Sequence, residues 1–361
     1  MISLVDLLDL PPFSISASAK RDIFRSELQE LTHHHYLHCP EYKRIIDLME
    51  FESRVAVDPE NVPFLPVGIF KTHRLSSVAS SSLVSTLNSS GTSGQQVSRI
   101  SLDRGTANNQ KKALARITAD CIGDSRLPML ILDSAPSSAT TDRTMISART
   151  AGIFGFGNMG LDRTYAFDEN MGIKFDVIND FLNRHRDKHV FVFGFTYIIW
   201  EHLVLPLSNM GRQFSIDNGT LIHGGGWKKL HDRSVDSAHF KRSVKNVTGI
   251  TSIYNYYGMA EQAGSIFLEC DQGHYHCSNF SDVFIRRNDL TLCDSAERGM
   301  IEVISLLPHS YPGHALLTED VGTLLGEDDC PCGRLGKYFV VHGRIATSEI
   351  RGCGDTYQSS S

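Results

Sequence analysis

The feature of this sequence that most constrains its fold is a regular alternation of short apolar runs and longer amphipathic segments. Runs such as LPMLILD (127–133) and HVFVFGF (189–195) have the length and the β-branched or aromatic content of buried strands. The segments FDVINDFLNRHRD (175–187) and VDSAHFKRSVKNVTG (235–249) carry apolar residues at helical spacing. Strands that alternate with helices form a sheet covered by helices. The sequence therefore predicts an α/β fold.

The character of the sequence changes on both sides of this α/β region. A helical pattern broken at Pro40 precedes it, and shorter strands follow Gly264, so that part is predicted to be rich in β-structure. Neither an internal repeat nor a flexible linker is visible. We predict a helical entry (1–75), an α/β part (76–263), a β-rich part (264–343) and a short tail (344–361).

Charge and composition exclude several classes of function. The 361-residue chain carries a net charge of −6 and no long basic run, which argues against a nucleic-acid partner. The apolar segment at its amino end contains Asp6 and Asp9 and ends at Pro11. It also lacks the basic start of a signal peptide. No apolar run reaches the roughly 18 residues of a membrane span. We therefore expect a cytoplasmic protein, whose eight cysteines are thiols or metal ligands rather than disulfides.

A glycine- and serine-rich stretch, LNSSGTSGQQVSRISLD (87–103), lies between two predicted strands. Hydroxyl groups and glycine backbone of this kind can surround a phosphate, although the same residues also make ordinary polar turns. The candidate phosphate-binding residues are Ser90, Gly91, Thr92, Ser93 and Gly94.

Two other motifs favour structural interpretations. GFGNMG (155–160) fits a dinucleotide fingerprint by letter, but LDRTYAFDEN (161–170) after it does not have the apolar spacing of the required helix, so we expect no nicotinamide or flavin site. HHHYLHC (33–39) is interpreted as a surface or helix-end cluster. The alternative is a metal site, because His34 with His38, or His35 with His38 or Cys39, could share one helix face.

Several separated segments together offer the contacts that a nucleotide needs. HGGGWKK (223–229) ends a strand with three glycines, and YNYYGMAEQ (254–262) ends another with aromatic rings and the carboxylate of Glu261. Asp320 and Arg344 follow in the β-rich part. Ligands of open α/β sheets bind at the carboxyl ends of strands, so we expect these segments to converge there.

The same motifs resemble those of the adenylate-forming superfamily of acyl and aryl ligases. SSGTSG is similar to its phosphate loop, YYGMAE to its Tyr-Gly-x-x-Glu motif and TEDVG to its Thr-Gly-Asp motif. Together with HGGGWKK, YPGHALLTEDVG, CPCGR and GRIATSEIRGCGDT, they most closely resemble LuxE-type acyl-protein synthetases. The resemblance extends from Pro63 to Thr356. It implies one large adenylate-forming domain (1–343), followed by a hinge and a truncated carboxy-terminal tail (344–361).

The resemblance also implies individual roles. The residues from Ser90 to Gly94 would hold the ATP phosphates, and Glu261 would bind Mg²⁺. The remaining implied nucleotide contacts are Gly224, Gly225 and Gly226 beside the adenine, Tyr257 stacked on it, Gly258 as a further nucleotide contact, and Asp320 and Arg344 on the ribose.

The chain departs from the superfamily in two ways. The lysine that often closes the phosphate loop is missing, and Arg99 or Lys228 could replace its charge. The carboxy-terminal domain with its catalytic lysine is also missing, since the sequence ends 17 residues after Arg344. Cys353 lies in this tail between two glycines and beside Arg351, which would favour a thiolate. In the resembling family such a cysteine receives the acyl group; a passive surface cysteine is the alternative.

These observations predict a ligase that activates a carboxylic acid, with a fatty acid expected, as acyl-AMP and transfers the acyl group to Cys353. The family implies delivery to an acyl reductase or acyltransferase partner. The apolar segment FVFGFTYIIW (191–200) is a candidate for acid binding, with a core role as the alternative. Two rival functions stay open: a coenzyme A or amide ligase with an idle Cys353, and a homologue that has lost catalysis.

A second set of residues has the spacing of a structural zinc site. Cys270 precedes His276 by six residues, and CPCG places Cys330 and Cys332 two apart. Thiolates with an imidazole suit tetrahedral Zn²⁺, and similar residues occur in the phenylacetate ligase branch, some of which hold zinc. His274 and Cys277 compete as ligands, and unmetallated thiols beside a turn are the alternative.

Overall fold

A computed structural model describes residues 3–89, 97–136, 145–227 and 235–345. A π-helical turn, Trp200–Val204, separates two short helices of one continuous helical segment. The helices are α1 Leu4–Leu7, α2 Ala17–His38, α3 Pro40–Leu48, α4 Ile69–Thr72, α5 Arg104–Ile122, α6 Ala148–Gly157, α7 Phe175–Arg184, α8 Thr196–Ile199, α9 Leu205–Met210 and α10 Ser237–Thr248.

The strands match most of the predicted apolar runs. They are β1 Leu65–Pro66, β2 Leu83–Asn88, β3 Arg99–Asp103, β4 Leu127–Ser134, β5 Met145–Ser147, β6 Gly160–Phe167, β7 Val190–Phe195, β8 Gly219–Gly224, β9 Ser252–Tyr257, β10 Phe267–Glu269, β11 Tyr275–His276, β12 Ser281–Arg286, β13 Arg298–Ser305, β14 Ala315–Glu327 and β15 Lys337–Arg344.

One large mixed sheet organises the chain. Its order is β12-β13-β14-β15-β11-β10-β9-β8-β7-β4-β6, and β1 joins the edge of β14 in parallel. The half from β6 to β9 is parallel, and the half from β9 to β12 is antiparallel. A smaller sheet has the order β3-β2-β5. The predicted α/β architecture is confirmed, with hydrogen-bonded strands continuing across the predicted boundary at Gly264.

Helix ends follow local sequence signals. The Asp103 carboxylate accepts a hydrogen bond from the Thr106 backbone N–H at 2.8 Å and so caps the start of α5. Asp236 caps α10 in the same way, and Gly249, with φ of 79°, ends that helix in a left-handed conformation. Among the described helices, none is both long and apolar enough to cross a bilayer.

The glycine-rich motif at 155–160 has the reverse order of a dinucleotide site. It lies at the end of α6 and leads into β6, whereas a dinucleotide fingerprint follows a strand and opens a helix. A Cβ atom at Gly160 would lie 2.5 Å from the Met129 sulfur, so this glycine serves close packing. The structural interpretation of the motif therefore agrees with the fold, whereas α6 itself was not predicted.

The histidine-rich segment ends α2 and packs against the loop that follows β13. His35 is fully buried; its ring contacts the Ser77 hydroxyl at 2.7 Å and donates to the Pro308 carbonyl at 3.1 Å. It stacks on the buried ring of His314 with centroids 5.1 Å apart. His34 stacks on His309 at 4.0 Å. These imidazoles join α2 to the rest of the fold, and within the described residues the candidate metal ligands group elsewhere.

Burial keeps these imidazoles uncharged. Desolvation lowers the pKa of His35 well below 6.5, and the neighbouring His314 adds to this shift. Burial lowers the pKa of His314 to about 3. Burial, together with His309 and His38, lowers that of His34 to about 4. Protonation of these rings therefore opposes the docking of α2.

We expect the thermal midpoint to be steady above neutral pH and to fall as the pH drops below 6.5. Below that value the unfolded chain binds protons at these histidines while the folded chain does not. His35→Gln should cost about 1–2 kcal/mol at neutral pH, because Ser77 or Pro308 loses a partner. It should also lower the slope of the unfolding free energy against pH by the equivalent of about one bound proton. Thermal melts across pH test this, with exposed His73→Gln as control; an equally steep profile for the His35 variant would contradict it.

Candidate active site

Gly224, Gly225 and Gly226 form a glycine loop at the carboxyl end of β8. This strand belongs to the parallel half of the sheet and neighbours β9, where the antiparallel half begins. A Cβ atom at Gly224 would lie 2.5 Å from the Tyr256 ring, so any larger residue would displace that ring. Gly225 and Gly226 have φ of 78° and 32°, in the region that favours glycine. The loop therefore presents bare backbone to a ligand at this edge.

Hydrogen bonds from neighbouring side chains hold the start of this loop in place. The His223 ring donates to the Thr196 hydroxyl at 2.9 Å, and that hydroxyl donates to the Gly224 carbonyl at 3.2 Å. Burial lowers the pKa of His223 to about 3, so the ring is neutral and can hold this tautomer. Beyond the glycines, Trp227 packs edge-on against Trp200 with centroids 5.6 Å apart.

The end of β9 meets β14 and β15 at a cluster of polar side chains. The Tyr257 hydroxyl donates to Asp320 Oδ2 at 2.8 Å, and Arg344 Nε lies 3.6 Å from Asp320 Oδ1. Asp320 and Arg344 face each other across the β14–β15 ladder. Three residues that the sequence places together as nucleotide contacts are therefore in contact.

Electrostatics in this cluster depend on burial. Desolvation raises the pKa of Asp320, and the Tyr257 hydroxyl and Arg344 partly offset that effect. The pKa of Tyr257 rises well above 10 because of burial and the adjacent carboxylate. Tyr257 is therefore a hydrogen-bond donor at neutral pH. Its ring also packs near Phe267, with centroids 5.9 Å apart.

Glu261, the predicted Mg²⁺ ligand, lies in a 3₁₀ turn, Ala260–Gln262, that two residues separate from the end of β9. The residue is buried, and its backbone carbonyl accepts a hydrogen bond from the Tyr311 hydroxyl at 2.8 Å. The neighbouring Gln262 amide donates to the carbonyls of Val303 and Gly313 at 3.1 and 2.8 Å. These contacts hold the turn, and with it Glu261, against the β13–β14 connection.

A cavity of about 490 Å³ lies on the other side of β9. Tyr256 and Met259 form one wall, and α6 contributes small residues to another. Apolar groups dominate the lining, which also includes Gln110 of α5 and the exposed Lys111. The small residues of α6 at this wall are Ala148, Ala151, Gly152 and Gly155.

The segment 191–200, which the sequence offers as an acid-binding candidate, packs in the core. Phe191, Phe193 and Phe195 are at most 1% exposed, and Phe193 stacks on Phe156 with ring centroids 4.4 Å apart. The segment contributes no residue to the lining of the 490 Å³ cavity. The alternative interpretation as core therefore agrees with the structure.

Several predicted site residues fall outside the described residues. They are Ser90, Gly91, Thr92, Ser93 and Gly94 of the phosphate loop, Lys228, and the proposed nucleophile Cys353. Of the candidate replacement cations, Arg99 is described. It lies exposed on β3, opposite Asn88 of β2.

The predicted zinc ligands come together at the far end of the β14–β15 hairpin. The ligand atoms of Cys270, His276, Cys330 and Cys332 all lie within 4.8 Å of one another. Strand pairing is the cause, because β11 pairs with β15 and places His276 opposite Tyr338. The turn between β10 and β11, which carries Cys270, therefore meets the turn between β14 and β15, which carries Cys330 and Cys332. This cluster of thiols and imidazole could hold a metal ion.

Neighbouring groups support this cluster. The Cys270 backbone N–H donates to the His274 carbonyl at 2.9 Å, and the Arg334 backbone N–H donates to the Cys332 sulfur at 3.5 Å. Burial lowers the pKa of His276 to about 3, which keeps its imidazole neutral. Of the competing ligands, His274 contacts the Cys330 sulfur at 3.6 Å, and burial strongly raises the pKa of the fully buried Cys277.

The sequence from 2 to 360 matches the family model of the acyl-protein synthetase, LuxE. The chain belongs to this family. As a LuxE-type acyl-protein synthetase, it is an ATP-dependent, AMP-forming ligase. No curated protein matches it significantly.

Solved structures show the same fold for this LuxE-family chain. It is similar to 2-hydroxyisobutyryl-CoA ligase in an open conformation with 2-HIB-AMP and CoA: 15% identity, a TM-score of 0.67, and coverage of 93% of this chain and 77% of that chain. The thioesterification state of the same ligase gives 16% identity, a TM-score of 0.68, and coverage of 93% and 70%. At these identities the likeness concerns the fold.

Two features of this LuxE-family site were missed in the sequence. The small residues of α6 line the cavity, but glycine and alanine have no functional group that would mark a binding site. The glycines also have low helix propensity, so the segment does not look helical in the sequence. Lys71 lies 3.3 Å from Glu319, beside Asp320, although about 250 residues separate them in sequence. Glu319 belongs to the TEDVG motif, which is the one sequence signal that could have drawn attention to it.

Proposed function

We propose that this LuxE-family ligase activates a fatty acid with ATP and then carries the acyl group as a thioester on Cys353. The observation that supports the fatty acid most directly is the apolar cavity of about 490 Å³ beside the end of β9. Burial of an alkyl chain there gains about 0.8 kcal/mol for each methylene group. Lys111 is the one charged residue among the described lining residues, and it is exposed. No described buried charge would therefore bind the second carboxylate of a dicarboxylic acid.

In the first step, a carboxylate oxygen of the acid forms a bond to the α-phosphorus of ATP, and pyrophosphate leaves. Gly224, Gly225 and Gly226 would border the adenine, while Asp320 and Arg344 would hold the ribose. Tyr257 and Gly258 complete this side of the nucleotide site. Tyr257 donates to Asp320 Oδ2, and Arg344 Nε lies 3.6 Å from Oδ1; each carboxylate oxygen has a second lone pair, which could accept a ribose hydroxyl.

The residues also fit Mg²⁺, which needs oxygen ligands and spreads the charge of the departing pyrophosphate. Glu261 supplies a carboxylate at the end of β9, held there by the Tyr311 hydrogen bond to its carbonyl. The hydroxyls and glycine backbone from Ser90 to Gly94 would bind the phosphates.

In the second step, the Cys353 thiolate forms a bond to the carbonyl carbon of the acyl adenylate, and AMP leaves. A thiolate is the strongest nucleophile common in proteins, and AMP is a good leaving group from this mixed anhydride. The thioester keeps the acyl group activated for a second protein, for which we propose an acyl reductase or an acyltransferase.

Incubation with ATP, Mg²⁺ and mixed fatty acids should raise the mass of each chain by that of one fatty acid less one water, because the acyl group replaces the thiol hydrogen of Cys353. Cys353→Ala should abolish this gain while hydroxylamine still traps the activated acid, because adenylation does not need the thiol. Intact-mass spectrometry measures both, with Cys293→Ala as the control. Formation of an acyl-CoA or amide product at an unchanged rate by Cys353→Ala would contradict the proposed protein thioester.

Ala151→Leu should shorten the longest acid accepted by about three carbons, since leucine adds three carbons to the cavity wall. Acids well below that length should keep their rates to within about twofold. Pyrophosphate release against a chain-length series measures the cutoff. Ala19→Leu, on the exposed face of α2, adds the same atoms away from the cavity. An unchanged cutoff in Ala151→Leu would place the acid elsewhere.

We also propose that the cysteine–histidine cluster binds Zn²⁺. A tetrahedral zinc site with thiolate ligands has sulfur–sulfur edges of about 3.7 Å. Cys270 and Cys330 have their sulfurs 4.0 Å apart, and the Cys332 sulfur lies 3.3 Å from His276 Nε2. Cys270 and His276 on one hairpin and Cys330 and Cys332 on the facing hairpin supply four protein ligands, which make a closed site, so the ion would stabilise the fold rather than act on substrate.

Purified protein should contain about one zinc ion per chain, and removal by a chelator should lower the thermal midpoint by about 5 °C or more. Cys332→Ser should lose most of the metal. Cys293→Ser, outside the cluster, should keep it. Elemental analysis and thermal melts measure these results; metal-free protein whose melt is insensitive to chelator would exclude the site.

A further inference from the structure

Four charged side chains form a continuous chain beside the candidate ribose site. Lys71 Nζ lies 3.3 Å from Glu319 Oε1, and Glu319 Oε2 lies 3.6 Å from Arg344 Nη1. Arg344 Nε lies 3.6 Å from Asp320 Oδ1. Two carboxylates and two cations thus alternate, and Arg344 contacts both carboxylates.

Backbone pairing fixes Lys71 in this position. β1 pairs in parallel with β14, with Pro66 beside Leu317, and the Val67 N–H donates to the Leu317 carbonyl at 2.9 Å. The one-turn helix α4 follows at once and carries Lys71 toward Glu319. At Gly68 an added Cβ atom would lie 3.8 Å from Glu319 Oε1, so this part of the chain runs close to the carboxylate.

The charges are partly withdrawn from water. Side-chain exposure is 16% for Lys71, 29% for Glu319, 18% for Asp320 and 32% for Arg344. Coulomb interactions are stronger there than between fully exposed groups. Arg344 is attracted by Glu319 and by Asp320, and the positive charge of Lys71 weakens the attraction between Glu319 and Arg344. Without Lys71, the guanidinium would shift toward Glu319 and away from Asp320.

We propose that Lys71 is a positioning residue of the nucleotide site, which neutralises Glu319 and so keeps Arg344 on Asp320. The proposal rests on the function proposed above, in which Asp320 and Arg344 hold the ribose of ATP. It gives the amino-terminal segment 65–72 a part in nucleotide binding. Lys71 acts through Glu319 and Arg344.

The test is the exchange of labelled pyrophosphate into ATP, measured for the full chain with a fatty acid and Mg²⁺. Lys71→Met should raise the KM for ATP about fivefold and leave kcat and the KM for the acid within about twofold. Lys71→Arg keeps the charge and should behave as the wild type. Lys43→Met, which removes one of the partners of Asp47 on α3, is the control and should change neither constant.

The double variant Lys71→Met, Glu319→Gln separates positioning from folding. Loss of the Glu319 charge removes the competitor for Arg344, so the KM for ATP should return to within about twofold of the wild type. An unchanged KM in Lys71→Met would overturn the inference. A raised KM that the double variant does not restore would also overturn it, since Lys71 would then act only by holding α4. Wild-type protein without exchange would overturn the proposed function itself.

Discussion

The β14–β15 hairpin is the constraint on which the rest of the structure depends. Its register places Asp320 opposite Arg344 at one end, and its turn carries Cys330 and Cys332 at the other. β15 also pairs with β11, which brings His276 to the same turn. A shift of one residue in this ladder would move every side chain to the opposite face of the sheet. One hairpin thus aligns the candidate nucleotide site and the candidate metal site together.

The end of β9 lies between the candidate nucleotide site and the apolar cavity. Successive side chains of a strand point to opposite faces, so Tyr256 and Tyr257 serve different neighbours. The Tyr257 hydroxyl reaches Asp320, whereas the Tyr256 ring packs against Gly224 and borders the apolar cavity. Adenylation requires the acid carboxylate and the α-phosphorus to approach one another, and the strand end between these two faces is suited to that meeting.

Much of this organisation is readable from the sequence where residue types are chemically distinctive. The buried strands, the contact of Tyr257 with Asp320 and Arg344, and the grouping of Cys270 with the other three ligands follow from motifs whose order suggests the fold. The cavity wall on α6 was missed because alanine and glycine give no such signal. The apolar segment 191–200 was ambiguous, since a core strand and a binding wall look alike before packing is known.

The sequence by itself determined the family, the alternation of strands and helices, and the chemical types available at each strand end. These are local properties, set by side-chain chemistry and by residue spacing. Tertiary structure alone decided which distant atoms meet: Lys71 beside Glu319, the imidazoles of α2 against the loop after β13, and Tyr256 beside the small residues of α6 at the cavity. Such contacts depend on strand register and close packing between segments far apart in the chain, and no local pattern encodes either one.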